Sequence, residues 1–179
     1  MNDLLTRSWN NYVDLKRAAL KEDLEAGPEM EMVDLETEQN LGQFFEEVSG
    51  IKADMETIKE LLEKLQKFNE ETKSIHKASA MKSLRDRMDR DVVSVLKTAR
   101  EIKGKLEALD EANMANRRVT GCEEGTPTDR TRTSVTNGLR KKLKDLMGEF
   151  QSLRQKVAGE YRETIERRYF TITGENLSE

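Results

Sequence analysis

This chain is poor in the residues that carry covalent or metal chemistry. Its 179 residues include one cysteine, Cys122, and one histidine, His76. A single cysteine forms no intrachain disulfide, which points to a reducing, intracellular compartment. Cys122 falls in a polar loop and is expected to be exposed. One Cys and one His fall far short of a four-ligand zinc set, so no metal is expected. Any Ser or Cys nucleophile would need His76 as its base, and a lone histidine near a helix end is structural. The loop GCEEGTP from Gly121 lacks the Gly-Lys-Ser/Thr ending of a phosphate-binding loop, so no cofactor is expected either. These absences together argue against an enzyme. Two prolines and 5% aromatics make a sheet-rich fold improbable on composition. No window reaches the roughly 20 apolar residues of a membrane span, and no secretory signal opens the chain, so it reads as soluble. A net charge of −4 excludes a general nucleic-acid binder.

Charge is plentiful at 37%, and the 35% of hydrophobic residues recur at helical intervals. Leu41, Phe44, Val48, Ile51, Met55, Ile58, Leu62, Leu65, Asn69 and Thr72 alternate steps of three and four. This is the heptad spacing of a helix packed along a seam. Met81, Leu84, Met88, Val92, Val95, Ala99, Ile102, Leu106 and Leu109 continue it in a second helix of matching length. Val135, Leu139, Leu143, Leu146, Phe150, Leu153, Val157, Tyr161 and Ile165 mark a third. The spacing predicts helices at about 40–75, 79–112 and 130–170, capped by Asn40, Ser79, and Asp129 or Thr131. The fold class is all-α, an antiparallel up-down three-helix bundle over residues 40–170. Residues 1–39 read as an N-terminal arm and acidic linker, and 171–179 as the start of a further linker.

The arm carries the only tryptophan, Trp9, on a sparse amphipathic stretch, where an exposed aromatic would anchor a partner. Ten acidic residues and no basic ones lie between Glu22 and Glu47, the pattern of a solvated linker. Basic side chains gather at Arg130, Arg132, Arg140, Lys141, Lys142 and Lys144, and again at Arg162, Arg167 and Arg168. Both clusters sit on the third helix, one towards each end. An acidic partner segment or an anionic membrane surface would suit them.

The stretch DRTRTSVTNGLRKKLKDLMGEFQSLRQKVAGEYRETIERRYFTITGE, Asp129–Glu175, resembles the third helix of the N-terminal domain of plant plasma-membrane syntaxins. SLRDRMD at Ser83, IKGKLEALDEAN at Ile102, the MNDLLTRS start, YVDLKRAA and EAGP extend the similarity over essentially the whole chain. The resemblance implies a Qa-SNARE regulatory region, the Habc three-helix bundle, serving vesicle fusion, exocytosis or cell-plate formation. In that family the domain folds back on its own SNARE helix, in the groove between the second and third helices. It also binds a Sec1/Munc18-type, KEULE-like protein, with an N-terminal segment contributing. Qb/Qc- and R-SNAREs would be met through a SNARE motif beyond this sequence, and the membrane through a C-terminal anchor. That places the longer protein at the cytosolic face of the plasma membrane or cell plate. Leu4, Leu5, Arg7 and Trp9 match the family's N-terminal segment in position, although Trp9 stands where relatives usually carry Phe. Arg140, Lys141, Lys144, Arg167 and Arg168 complete the expected partner-binding set. The rival reading is a spectrin-like or coiled-coil scaffold whose heptads mediate self-association.

Overall fold

The computed structural model describes the backbone of residues 28–174 and the side chains of 37–174. Three helices account for nearly all of it: α1 Pro28–Thr72, α2 Ala78–Asn116 and α3 Pro127–Thr173. The chain divides into two compact units, residues 1–40 and 41–179, and the packing described below is that of the second.

α1 begins at Pro28, well before the expected Asn40. Proline is tolerated in a first turn because its missing N–H would be unpaired there in any case. The Glu, Met, Leu and Gln residues that follow are good helix formers, and acidic side chains suit the positive end of the helix dipole. The acidic run is therefore largely helix and not linker. α2 is entered through Lys77, whose extended backbone (φ −85°, ψ 128°) already turns the chain, so Ser79 lies inside the first turn instead of capping it. α2 also runs past Asn113 to Asn116. α3 starts earlier than expected: Thr126 is the cap, its Oγ1 accepting from the Asp129 N–H at 3.3 Å, with Pro127 in the first turn. Gly121 and Gly125 adopt positive φ, 83° and 85°, in the connecting loop. Gly174 closes α3 in the left-handed conformation, its N–H reaching the Phe170 carbonyl at 2.8 Å.

Cross-helix contacts fix the directions. Lys64 meets Asp91 at 3.0 Å and Lys105 meets Asp54 at 2.5 Å, so α1 and α2 run oppositely. Arg140 pairs with Asp110, and the Arg85 guanidinium lies 3.5 Å over the Tyr161 ring, so α2 and α3 do too. Arg132 over Phe44 and Asn69 on Glu160 make α1 and α3 parallel. The result is an up-down-up bundle.

The α1 register from Leu41 to Asn69 is buried at every expected position, with Thr72 half-buried. α2 departs once. Asp91, not Val92, occupies the inward position between Met88 and Val95, and one of its carboxylate oxygens has no hydrogen-bond partner. Its other oxygen accepts from Lys64 Nζ, which also lies 5.5 Å from the Phe68 ring centre. A buried carboxylate served by one half-exposed lysine is weak glue. Asp91→Leu is expected to raise the unfolding free energy by about 1–2 kcal/mol, while Lys64→Met lowers it by stranding the carboxylate. Urea melts of both variants decide it: destabilisation by Asp91→Leu would show that the pair holds the helices together.

α3 departs at its end. Leu139, Leu146 and Phe150 are buried, Leu153, Val157 and Tyr161 are half-buried, and Ile165 is 42% exposed. The stripe fades because α1 ends at Thr72, close to where Asn69 meets Glu160. Beyond that level α3 has one helix fewer to pack on.

Candidate partner-binding groove

Two antiparallel helices packed on a third leave an open furrow on their outer side. Between α2 and α3 its floor is Leu65, Met88, Val92, Leu153 and Val157, with Arg85, Asp89, Arg154 and Ala158 along the walls. The best-defined part holds about 170 Å³. That is below the roughly 300 Å³ at which small-molecule sites begin, and of a size for single side chains projecting from a helix. A shallower depression continues past Arg85 to Met81, Tyr161, Ile165 and Arg168. In the other direction helical spacing carries the strip to Leu96, four residues past Val92, and to Met147, seven before Arg154. Leu96 is 36% exposed and its neighbour Val93 64%. From Met81 to Leu96 the strip runs alongside about 22 Å of helix, some four turns. Its walls carry both signs of charge, as the flanks of a heptad seam do.

The predicted site residues do not form one surface. Leu4, Leu5, Arg7 and Trp9 lie outside the described residues. Arg140 sits on the α2 side of α3, bonded to Asp110 and, at 2.9 Å, to Asn137 Oδ1. Lys144, one turn on, is exposed on the same side, whereas Lys141 is exposed one position around the helix. Arg167 pairs along its own helix with Glu163 at 3.8 Å. Arg168 donates to the Ile75 carbonyl, tying the end of α3 to the α1–α2 connection. Arg140 and Arg167 are about 40 Å apart along the helix at its 1.5 Å rise.

The upstream basic cluster also disperses. Arg132, expected on the surface, is buried: its Nε donates to Asn113 Oδ1 at 3.0 Å and its guanidinium lies 4.8 Å from the Phe44 ring centre. Burial pulls its pKa below the usual arginine value. Lys142 faces Lys52 of α1, whose pKa is lowered by burial and then by this like charge. Of this cluster Arg140 faces α2 at Asp110, beyond the lined part of the furrow, so these basic residues form no single face.

A polar anchor at the α2–α3 corner was not anticipated from sequence. Asn113 Nδ2 donates to Thr136 Oγ1 at 3.0 Å, Thr136 donates to the Arg132 carbonyl at 2.8 Å, and all three residues are buried. Cys122 is wholly buried as well, correcting its expected exposure; its N–H donates to the Val119 carbonyl, folding the loop inward. Asn113 falls four residues after Leu109 and Thr136 three before Leu139, so the stripe itself held the clue. Asp129 is likewise buried and accepts from Arg117 Nε at 2.7 Å and from the Gly125 N–H at 3.0 Å.

The Arg117 bond, reinforced by Gly125, holds the Asp129 carboxyl below the usual carboxylate range. A depressed folded pKa contributes stability above the unfolded value of about 4 and loses it as pH falls through the folded pKa. Stability is therefore expected to drop below about pH 4 more steeply in the native chain than in Asp129→Asn. Melts at pH 7 and pH 3 measure this, and equal losses in both proteins would remove Asp129 from the acid response.

The family model of syntaxins matches residues 38–179. Syntaxin-111 of Oryza sativa subsp. japonica is 51% identical, the match covering 98% of this chain and 57% of that protein. The Syntaxin-related protein KNOLLE of Arabidopsis thaliana is 50% identical, covering 100% and 58%. The chain thus spans a little over half the length of these relatives. Among solved structures, the Unc18–syntaxin 1 complex from Monosiga brevicollis aligns with a TM-score of 0.64 at 17% identity, over 94% of this chain and 71% of that one, a likeness of fold. Among the described residues no helix is long and apolar enough to cross a membrane.

Proposed function

The chain belongs to the syntaxin family, and from that premise we propose that residues 41–174 form the regulatory region of a longer target-membrane SNARE, acting by capturing a helix. The observation that carries this reading is the open α2–α3 furrow, apolar along its floor, charged at its walls and about four helical turns long. A fourth amphipathic helix laid there would complete a four-helix bundle. The natural occupant is the SNARE helix of the same protein. Docked, that helix is withheld from assembly with Qb/Qc- and R-SNAREs; released, it is free to zipper. The energy gap of such a switch is a few kcal/mol.

A Sec1/Munc18-type protein is the second partner proposed, reading the outer bundle surface together with the N-terminal segment around Leu4, Leu5, Arg7 and Trp9. The complex named for the structural neighbour and the likeness to KNOLLE support it, and they favour action in fusion at the plasma membrane or cell plate. Self-association through the heptads is the weaker reading, because the α1 positions from Leu41 to Leu65 are already buried within one chain.

The test is the rate of ternary SNARE assembly by the longer protein, with and without residues 41–174. Removal is expected to speed assembly by about tenfold or more, the range of a coupling of 1–3 kcal/mol. Equal rates would overturn the autoinhibitory reading.

A further inference from the structure

The corner between α2 and α3 carries a short sequence that groove binding does not use: Arg117-Arg118-Val119-Thr120. Thr120 is exposed, and its hydroxyl bonds to no described residue. On α3, by contrast, most threonine hydroxyls are occupied by carbonyls one turn back, as at Thr131, Thr136, Thr164 and Thr171. Arg118 is exposed as well, and its side chain pairs with no described residue. Arg117 is the exception, held by Asp129 at 2.7 Å and by Glu124 at 3.9 Å. Gly121, at φ 83°, puts a sharp bend directly after the threonine and displays it at the turn.

We propose that Thr120 is a phosphorylation site for an arginine-directed Ser/Thr kinase, and that the phosphate it receives draws Arg117 away from Asp129. Protein kinases select substrates by charge pattern, and two guanidinium groups two and three residues before a free hydroxyl suit an acidic substrate groove. In the transfer, Thr120 Oγ1 attacks the γ-phosphorus of ATP. An O–P bond forms as the bond from that phosphorus to the β,γ-bridging oxygen breaks. ADP leaves with the bridging oxygen, and the hydroxyl proton passes to the kinase's carboxylate base.

Short-range backbone bonds shape this corner: Arg117 and Arg118 to Ala115, Val119 to Asn116 and Cys122 to Val119. Releasing these bonds, with Cys122 leaving the interior, is a local opening of the corner. The product carries about −1.5 to −2 charges and three strong acceptor oxygens, against the single charge of Asp129. Charge-assisted bonds to Arg117 and Arg118 follow, while Glu123 and Glu124 are repelled. Asp129 then loses its main partner at the start of α3, and the corner loosens.

The experiment incubates the folded chain with ATP, Mg²⁺ and the catalytic subunit of cAMP-dependent protein kinase, reading intact mass and the modified peptide. One phosphate on Thr120 is expected, absent in Thr120→Ala, with the rate falling about tenfold in Arg118→Ala, the scale of one lost charged contact. The Arg117 Nε–H resonance is expected to shift on modification, along with the Gly125 amide that donates to Asp129. An unmodified Thr120, whether the phosphate goes elsewhere or nowhere, overturns the site. A modified Thr120 with an unmoved Arg117 resonance overturns the exchange of partners.

Discussion

Phe44→Ala is expected to lower the unfolding free energy by about 3–5 kcal/mol, the cost of a large buried ring plus the cavity it leaves. Deep burial and two contacts converge on this side chain. It is 1% exposed, it meets Phe45 edge-on with ring centres 5.2 Å apart, and the Arg132 guanidinium lies over its face. The last contact matters most, because Arg132 is a buried cation that bonds the Asn113 amide and lies over this ring. Removing the ring leaves that charge beside a void, so the loss should fall in the upper half of the range. Domains of this size are stable by roughly 5–15 kcal/mol, so one substitution removes about a quarter or more. A urea midpoint that falls with an unchanged slope would confirm it. Phe45→Ala, at a half-buried ring, serves as the smaller reference. Equal losses from the two would mean that Arg132 draws nothing from the Phe44 face.

Leu96→Glu combined with Ala158→Glu is expected to weaken capture of a fourth helix by about a hundredfold, roughly 2.7 kcal/mol, while changing bundle stability by no more than about 1 kcal/mol. The positions were chosen for that separation. Ala158 lines the furrow yet is exposed, so a glutamate there fills the groove without emptying the core. Leu96 borders the apolar strip and is already 36% exposed. Two carboxylates placed in the path of an apolar helix face must be desolvated or must keep the helix out. Isothermal titration with the SNARE helix as a peptide reads the affinity, and circular dichroism reads the fold. Unchanged affinity in a folded double variant would mean the helix binds elsewhere.

The fold was legible where one face of a helix meets two partners. The three-and-four spacing from Leu41 to Asn69 maps onto burial residue by residue, because α1 is packed against both other helices along that whole length. Legibility failed where polar residues took core positions. Val92 reads as the better core residue, but the transposed step after Met88 turns Asp91 inward, and hydrophobicity alone does not register a one-residue shift. It failed again at helix ends. Asn40 reads as a cap but lies inside α1, which starts at Pro28, and Asp129 reads as a cap while Thr126 takes that role and frees Asp129 for Arg117. The candidate site was half legible. The α2–α3 groove follows from three helices packed up-down-up, but runs of basic letters say nothing of direction around a helix. Arg132 points into the core, Lys142 towards α1 and Arg140 towards α2, so a cluster in sequence is not one in space.

Helix capture by the α2–α3 furrow is the central claim, and chemical-shift mapping on the isotope-labelled chain tests it most directly. On titration with the SNARE helix, the amides and methyls of Met88, Val92 and Leu96 on α2 and of Met147, Leu153 and Val157 on α3 are predicted to move together, saturating at one helix per bundle. The solvent face of α1, at Lys59 and Glu63, should stay still. Shifts confined to α1, or none at saturating peptide, would contradict the account.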